Sequence, residues 1–353
     1  MATSLRVGII GAGFMGTTYA EAFRRMRAAT AVAVAGGSRA GYLAAQFGLE
    51  SVPSVEALCR RRDIDAVVVT SPHFVHAEQT LLALREGKHV FVEKPMATTR
   101  EDGLRMGREA KKRSLTLAVG YHQRFRHVNR RAFEVLRKGD LGRPITFQAT
   151  QLGGGGFGKG WTQDIRSVGY FLGYGCHVVD MVRWAFDAEI ESVAAQSGAY
   201  RIPKPIETLT NACVRFRGGL GGTILSTNIL PKPGFPDGTT MIRVISEKGV
   251  MDWRAASGLP GFLSIGIEGK DETLRRIIEE PPLKFAGGGM LAENRVQAYR
   301  DVAQDFVDAI RKGRRPCADA QDGYQTLSIC LAAMESARMG GTVRVPPPPK
   351  GLR

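Results

Sequence analysis

A chain of 353 residues, 43% of them hydrophobic, is too long for one ordinary core and suits two domains of soluble globular composition. Its formal charge of +15 is dispersed in short clusters ("RRMR" at 24–27, "RRR" at 60–62, "KKR" at 111–113, "RKGRR" at 311–315), which read as solvated helix faces that attract anionic small ligands, not as a nucleic-acid surface. No stretch approaches the ~20 apolar residues that cross a bilayer, and Cys59, Cys176, Cys213, Cys317 and Cys330 are scattered without C-x-x-C spacing, against a disulfide framework or a zinc site.

"LRVGII" (5–10) reads as a parallel strand buried on both faces. "GAGFMG" follows at once, and "TTYAEAFRRMRAA" after it has helical apolar spacing. In this strand–turn–helix setting the run forms G-x-G-x-x-G. Gly11 permits the tight turn, Gly13 lets a pyrophosphate approach the backbone, and Gly16 allows close helix–strand packing. Ala12, Phe14 and Met15 complete the expected dinucleotide loop. The next strand, "TAVAVA" (30–35), ends in Gly36, Gly37, Ser38 and Arg39. No carboxylate stands there for an adenosine ribose, whereas Ser38 and Arg39 suit a 2′-phosphate, so NADP is expected in preference to NAD.

"IDAVVVTSP" (64–72) predicts a third strand, which brings Thr70, Ser71 and Pro72 to the ligand end of the sheet. His73 and His76 sit at the cap of the amphipathic helix "HAEQTLLALREGK", with either a structural or a cofactor-contact role. "HVFVEKP" is a fourth strand ending in Glu93, Lys94 and Pro95. A desolvated lysine there can exchange protons at the reactive edge of a cofactor, or Lys94 forms an ordinary ion pair with Glu93. Tyr121 and His122 follow the last strand of this domain and are expected to line its cleft.

From about residue 123 the pattern changes. "PITFQATQL" (144–152) alternates like a strand, and "GGGGFGKG" (153–160) reads as a substrate loop or a surface linker. "TNACVRFRGGLGGTILSTNIL" (210–230) predicts a hairpin, and "PPPPKGLR" (346–353) an extended tail. Within "SVGYFLGYGCHVVD" (167–180), a helical reading puts Tyr170, Gly173, Tyr174 and His177 on one face. His177 is either a catalytic acid/base or a core histidine. Arg124, Arg126 and Arg166 are candidates for a substrate carboxylate and Trp161 for a substrate contact. The expected domains are 1–122, 123–345 and a Pro-rich tail 346–353.

"VGIIGAGFMG", "VVVTSPHFVHAEQTLLALREGKHVFVEKP" and "AVGYHQRFRHVNRRAFEVLRKGDLGRPITF" together resemble the glucose–fructose oxidoreductase / inositol dehydrogenase / rhizopine catabolism family, Gfo/Idh/MocA. The resemblance extends through "RVISEKGVMDW" (243–253) to the closing helices. It implies an α/β fold: an N-terminal Rossmann doubly wound parallel sheet plus a C-terminal α/β domain with an open, mostly antiparallel sheet. That sheet commonly serves oligomerisation, so a homo-oligomer, dimer or tetramer, is expected. The resemblance also implies hydride transfer between NAD(P) and a hydroxyl or carbonyl carbon, often of a sugar or cyclic polyol. It matches Lys94 to a lysine contacting nicotinamide ribose and substrate. The family's D-x-G-x-H-x-x-D falls on "GYGCHVVD", with His177 and Asp180 matched and Gly173 in place of the first aspartate.

The resulting expectation is a cytoplasmic NAD(P)-dependent dehydrogenase or reductase acting on a small, possibly anionic substrate, with no metal, nucleic-acid or membrane partner. Lys94 and His177 are expected to handle the hydroxyl proton across an interdomain cleft, with Tyr174, Tyr121 or Tyr170 supporting. Two alternatives share the fold: a relative that recycles bound NAD to cleave glycosides, and a non-enzymatic dinucleotide-sensing regulator. An intact Glu-Lys-Pro run speaks against the second.

Overall fold

The computed structural model describes residues 4–153, 162, 164, 166, 168–201, 206–230, 239–255, 260–270, 275–280, 293–349 and 352. By compactness the chain divides into two units. One comprises Met1–His122, Phe285–Leu327 and Pro348–Arg353, the other Gln123–Lys284 and Ser328–Pro347. Trp161 and residues 154–160 of the expected substrate loop lie outside the described residues.

The first unit alternates strands and helices: β1 (Leu5–Ile10), α1 (Phe14–Arg24), β2 (Ala29–Ala35), α2 (Ala40–Phe47), β3 (Glu50–Ser51), α3 (Val55–Cys59), β4 (Ala66–Val69), α4 (His76–Arg85), β5 (His89–Val92), α5 (Arg100–Lys112) and β6 (Leu117–Val119). The strands form a parallel sheet in the order β3-β2-β1-β4-β5-β6. That order reverses beside β1, the switch point at which open α/β sheets bind ligands. All four residues of β4 are buried, as a strand covered by helices on both faces requires.

The second unit contains α6 (His127–Lys138), β7 (Pro144–Leu152), α7 (Cys176–Phe186), β8 (Ile190–Gly198), β9 (Leu209–Phe216), β10 (Gly221–Thr227), β11 (Thr239–Ser246), β12 (Gly249–Ala255), β13 (Gly261–Ile267) and β14 (Arg275–Glu280). After α8 (Glu293–Lys312) come α9 (Ala320–Met339) and β15 (Val343–Arg344). Among the described residues these strands form one sheet, β14-β13-β12-β11-β7-β10-β9-β8-β15. Only the β7–β10 pair is parallel, so the sheet is mostly antiparallel. The expected hairpin of 210–230 is β9–β10. Phe147 on β7 packs against Phe186 of α7 and Phe216 of β9, with ring centroids at 5.2 and 5.8 Å. The opposite face carries Gln148, Thr150, Asn211 and Thr223, which line a cavity of about 930 Å³.

Two segments differ from the sequence-based division. Helix α8 lies in the first unit, where Tyr299 meets Tyr19 and His122, and Phe306 meets Phe91. These aromatic contacts reach across more than half the chain, and no local pattern signals them. Within the expected extended tail, Leu352 is buried and packs over Gly107 of α5, where a Cβ would collide with it.

Candidate functional site

In the first unit, β1 delivers the glycine turn directly to the N-terminus of α1. Gly11 has φ +100°, a conformation open to glycine and strained for other residues. A Cβ at Gly16 would collide with the Gly11 carbonyl oxygen, so this glycine is required by helix–turn packing. Gly13 differs: a Cβ there meets nothing within 4 Å, and the residue is exposed at the uncapped helix start. Packing does not demand Gly13, whereas close approach of a phosphate to the backbone does. Ala12 is buried in the turn, while Phe14 is half exposed and Met15 partly buried beside it. The residues therefore fit a dinucleotide.

Thr70 braces the same turn, its hydroxyl lying 2.9 Å from the carbonyl oxygens of both Ile10 and Gly11. Beyond β2, Ser38 and Arg39 are exposed, and the Arg39 guanidinium lies 5.6 Å from the centroid of the Tyr42 ring.

The loops after β4 and β5 are joined by His76. Its Nδ1 lies 2.8 Å from the Pro95 carbonyl oxygen and its Nε2 2.8 Å from that of Ser71, whose hydroxyl pairs with Gln79 at 2.5 Å. The ring is fully buried, with both nitrogens on backbone carbonyls. Pro72 precedes the short 3₁₀ turn carrying His73, which is also buried and sits edge-on to His76 at 5.6 Å. Burial holds His73 well below the ordinary histidine range and lowers His76 to about 4, with the Lys94 charge adding to both.

These histidines give stability a defined pH dependence. Unfolded, His76 takes its proton near pH 6.5; folded, it refuses it until about 4. The unfolded state thus binds more protons in that window, and stability is full above pH 6.5 and lost as pH falls. His76 contributes a loss of about 2 kcal/mol between about pH 7 and about pH 5. Glu93 and Glu207, both raised by burial, act with the opposite sign. Urea denaturation of wild type against His76→Gln isolates the histidine: the variant should be less sensitive to acid by that amount, and equal slopes would remove His76 from the account.

Lys94 is half buried in the turn after β5, between Glu93 and Pro95. The Glu93 carboxylate points into the unit's interior, accepting the Tyr19 hydroxyl at 2.7 Å and the Lys94 amide at 3.1 Å. Burial pushes Glu93 up, opposed by the Lys94 charge and these two bonds. Tyr121 is buried with 1% exposure, whereas His122 is partly exposed and stacks on Tyr299 at 4.2 Å.

In the second unit, "FLGYG" forms a π-helical turn, Phe171–Gly175, that runs directly into α7. The wider turn replaces the regular helical face expected through Tyr170, Gly173, Tyr174 and His177. Its start is held by Glu207, whose carboxylate accepts the Phe171 amide at 2.8 Å and the Thr210 hydroxyl at 2.9 Å. A Cβ at Gly175 would lie 2.8 Å from both the Phe171 ring and the Ser226 Oγ, so glycine lets the turn lie against β10. Tyr170 is buried and stacks on Tyr174 at 5.1 Å, and Tyr174 is 40% exposed. His177 is 5% exposed at the first turn of α7.

Asp180 and Arg124 form a bidentate pair, at 2.8 Å to Nε and 2.6 Å to Nη2, both side chains almost wholly buried. Arg124 also lies over Trp184 at 5.5 Å. The expected carboxylate partner of Arg124 is therefore the protein's own. Arg166 is exposed and holds Asp164 at 2.9 and 2.6 Å. Tyr19 and Glu207 escaped sequence reasoning. A tyrosine on a buried helix face needs a buried acceptor, and that was the available signal for Tyr19.

Among the described residues, no group of three or more His, Cys, Asp or Glu side chains could hold a metal, and no helix is long and apolar enough to cross a membrane. Residues 5–121 match the family model of an oxidoreductase family with an NAD-binding Rossmann fold, and residues 129–252 match a GFO/IDH/MocA C-terminal domain. An inositol 2-dehydrogenase of Acidothermus cellulolyticus is 33% identical over 351 residues, with 95% of this chain and 93% of that protein covered. Inositol 2-dehydrogenase 3 of Saccharopolyspora erythraea is 27% identical over 346 residues, covering 97% of this chain and 96% of its own. A levoglucosan dehydrogenase solved with NADH and levoglucosan shares the fold at TM-score 0.83 and 23% identity, covering 98% of this chain and 99% of that one.

Proposed function

Because the chain belongs to the GFO/IDH/MocA family of oxidoreductases, we propose that it moves a hydride between a nicotinamide dinucleotide and a secondary hydroxyl or carbonyl carbon of a sugar, cyclic polyol or related cyclic diol. The observation that carries this reading is the pairing, at the ends of β1 and β5 in one parallel sheet, of an open glycine cradle with a lysine turn. The substrate class is supported by the inositol and levoglucosan dehydrogenases among the similar proteins. Of the arginines expected to meet a substrate carboxylate, Arg124 and Arg166 hold Asp180 and Asp164, so a carboxylated diol would fall to Arg126.

Gly11, Gly13 and Gly16, with Ala12, Phe14 and Met15, would hold the pyrophosphate at the start of α1. When bound, the nicotinamide supplies the hydride acceptor or donor. In the oxidative direction the substrate carbon releases a hydride and its hydroxyl a proton. Lys94 is offered as the group that takes this proton, and His177 and Tyr174 as the further proton-transfer candidates. NADP is proposed over NAD because Ser38 and Arg39 stand exposed beyond β2 where no carboxylate does. The polar outer face of the second sheet is proposed as the surface of a homo-oligomer.

The test is a panel of inositols, levoglucosan, aldoses and carboxylated cyclic diols with NAD and NADP, read by the absorbance of the reduced nicotinamide. Arg39→Ala should raise KM for NADP by about 10-fold or more and leave that for NAD unchanged, as expected for a lost charge-assisted contact. Equal use of both dinucleotides by wild type would sink the NADP assignment. A dinucleotide that survives gel filtration without net turnover would point instead to the cofactor-recycling, glycoside-cleaving chemistry.

A further inference from the structure

Glu93 is a buried carboxylate whose oxygens are both committed to particular donors. Oε1 accepts the Tyr19 hydroxyl from α1, and Oε2 accepts the backbone amide of Lys94. Gly120 backs the same group, since a Cβ there would lie 2.7 Å from Oε1. Tyr19 is fully buried, its ring edge-on to Phe91 at 5.1 Å and to Tyr299 at 6.0 Å. On the far side of Lys94, the Pro95 carbonyl is tied to His76 of α4. The lysine backbone is thus held on one flank by Glu93, itself engaged by Tyr19 of α1, and on the other through Pro95 by His76 of α4.

Packing alone does not account for this arrangement. A phenylalanine at Tyr19 and an apolar residue at Glu93 would keep the ring contacts and avoid the cost of desolvating a carboxylate. What the acid adds is a fixed geometry for the lysine turn relative to the helix that begins at the glycine cradle. We propose that Tyr19 is a positioning residue, acting through Glu93 to fix the backbone of Lys94 and hence the placement of its ammonium group. This inference rests on the proposed proton-handling role of Lys94.

Tyr19→Phe keeps the apolar ring and deletes the hydroxyl. Hydrogen–deuterium exchange on the unliganded protein should show the Lys94 amide exchanging at least about 10-fold faster, while the thermal midpoint falls by less than about 10 °C. On the best substrate of the panel, kcat should fall about 10- to 100-fold with the KM for dinucleotide within about 2-fold. Gly120→Ala, which presses on Glu93 from the other side, should give the same signature. Unchanged Lys94 exchange and unchanged kcat in both variants would overturn the proposal, as would failure of both to fold, since the pair would then be structural. Lys94→Met separates the two readings. Normal turnover in that variant defeats the role of the lysine, whereas the exchange data need no substrate and decide the positioning by themselves.

Discussion

Asp180→Ala is expected to lower the unfolding free energy of the second unit by about 3–5 kcal/mol, the range found when one partner of a buried ion pair is removed. The size follows from what remains. Arg124 is 2% exposed, and its Nε and Nη2 both lose their carboxylate oxygens, leaving a desolvated guanidinium over the Trp184 ring. Arg183, 4.0 Å from Asp180, is paired with Glu189 at 2.9 and 2.7 Å, so it keeps its own carboxylate when Asp180 is removed. The chain's three tryptophans, Trp161, Trp184 and Trp253, all fall in this unit, so their fluorescence reports its unfolding in urea. Adding Arg124→Met to an Asp180→Leu background should recover much of the loss, because the pair is then replaced rather than broken. A single-variant loss below about 1 kcal/mol would place the pair with the weak surface ion pairs and defeat the argument.

The same pair marks where reading the sequence ran out. Arg124 looked available to a substrate carboxylate because nothing near it in the chain neutralises it; its partner lies 56 positions away. Conversely, the family's closing acid, matched at Asp180, is engaged by this arginine inside the unit. The features that were legible are those encoded locally. Strands β1, β4 and β5 announce themselves as short apolar runs, and the glycine turn lies between a strand and a helix within sixteen residues of the start. The β9–β10 hairpin is written in its glycine-rich turn.

Three features were not legible, for related reasons. Helix α8 belongs with the first unit because Tyr299 and Phe306 find rings brought close by tertiary packing, and the helix's own periodicity is silent on which core it joins. The π-helical turn before His177 depends on Glu207 arriving from the segment before β9 to accept the Phe171 amide. Tyr19 reads as one more apolar helix residue until Glu93 is found at its hydroxyl. Each is a long-range polar or aromatic pairing. The match of family models over residues 5–121 and 129–252 identifies the oxidoreductase, yet it is these pairings that decide which side chains remain for chemistry.

Lys94→Met should reduce kcat by about 10²–10⁴-fold, the range for loss of a positioned proton-transfer group. Methionine preserves the length and apolar stem of the side chain and removes only the amine. The contacts that shape the turn are made by the Lys94 amide, the Glu93 carboxylate and the Pro95 carbonyl, and these survive the substitution. The glycine cradle after β1 is likewise untouched. Dinucleotide affinity, followed by fluorescence titration, should therefore fall by far less than kcat, because only the ribose contact implied for Lys94 is lost. Turnover within about 10-fold of wild type would show that the hydroxyl proton leaves by another group, and His177 would then be the residue to replace.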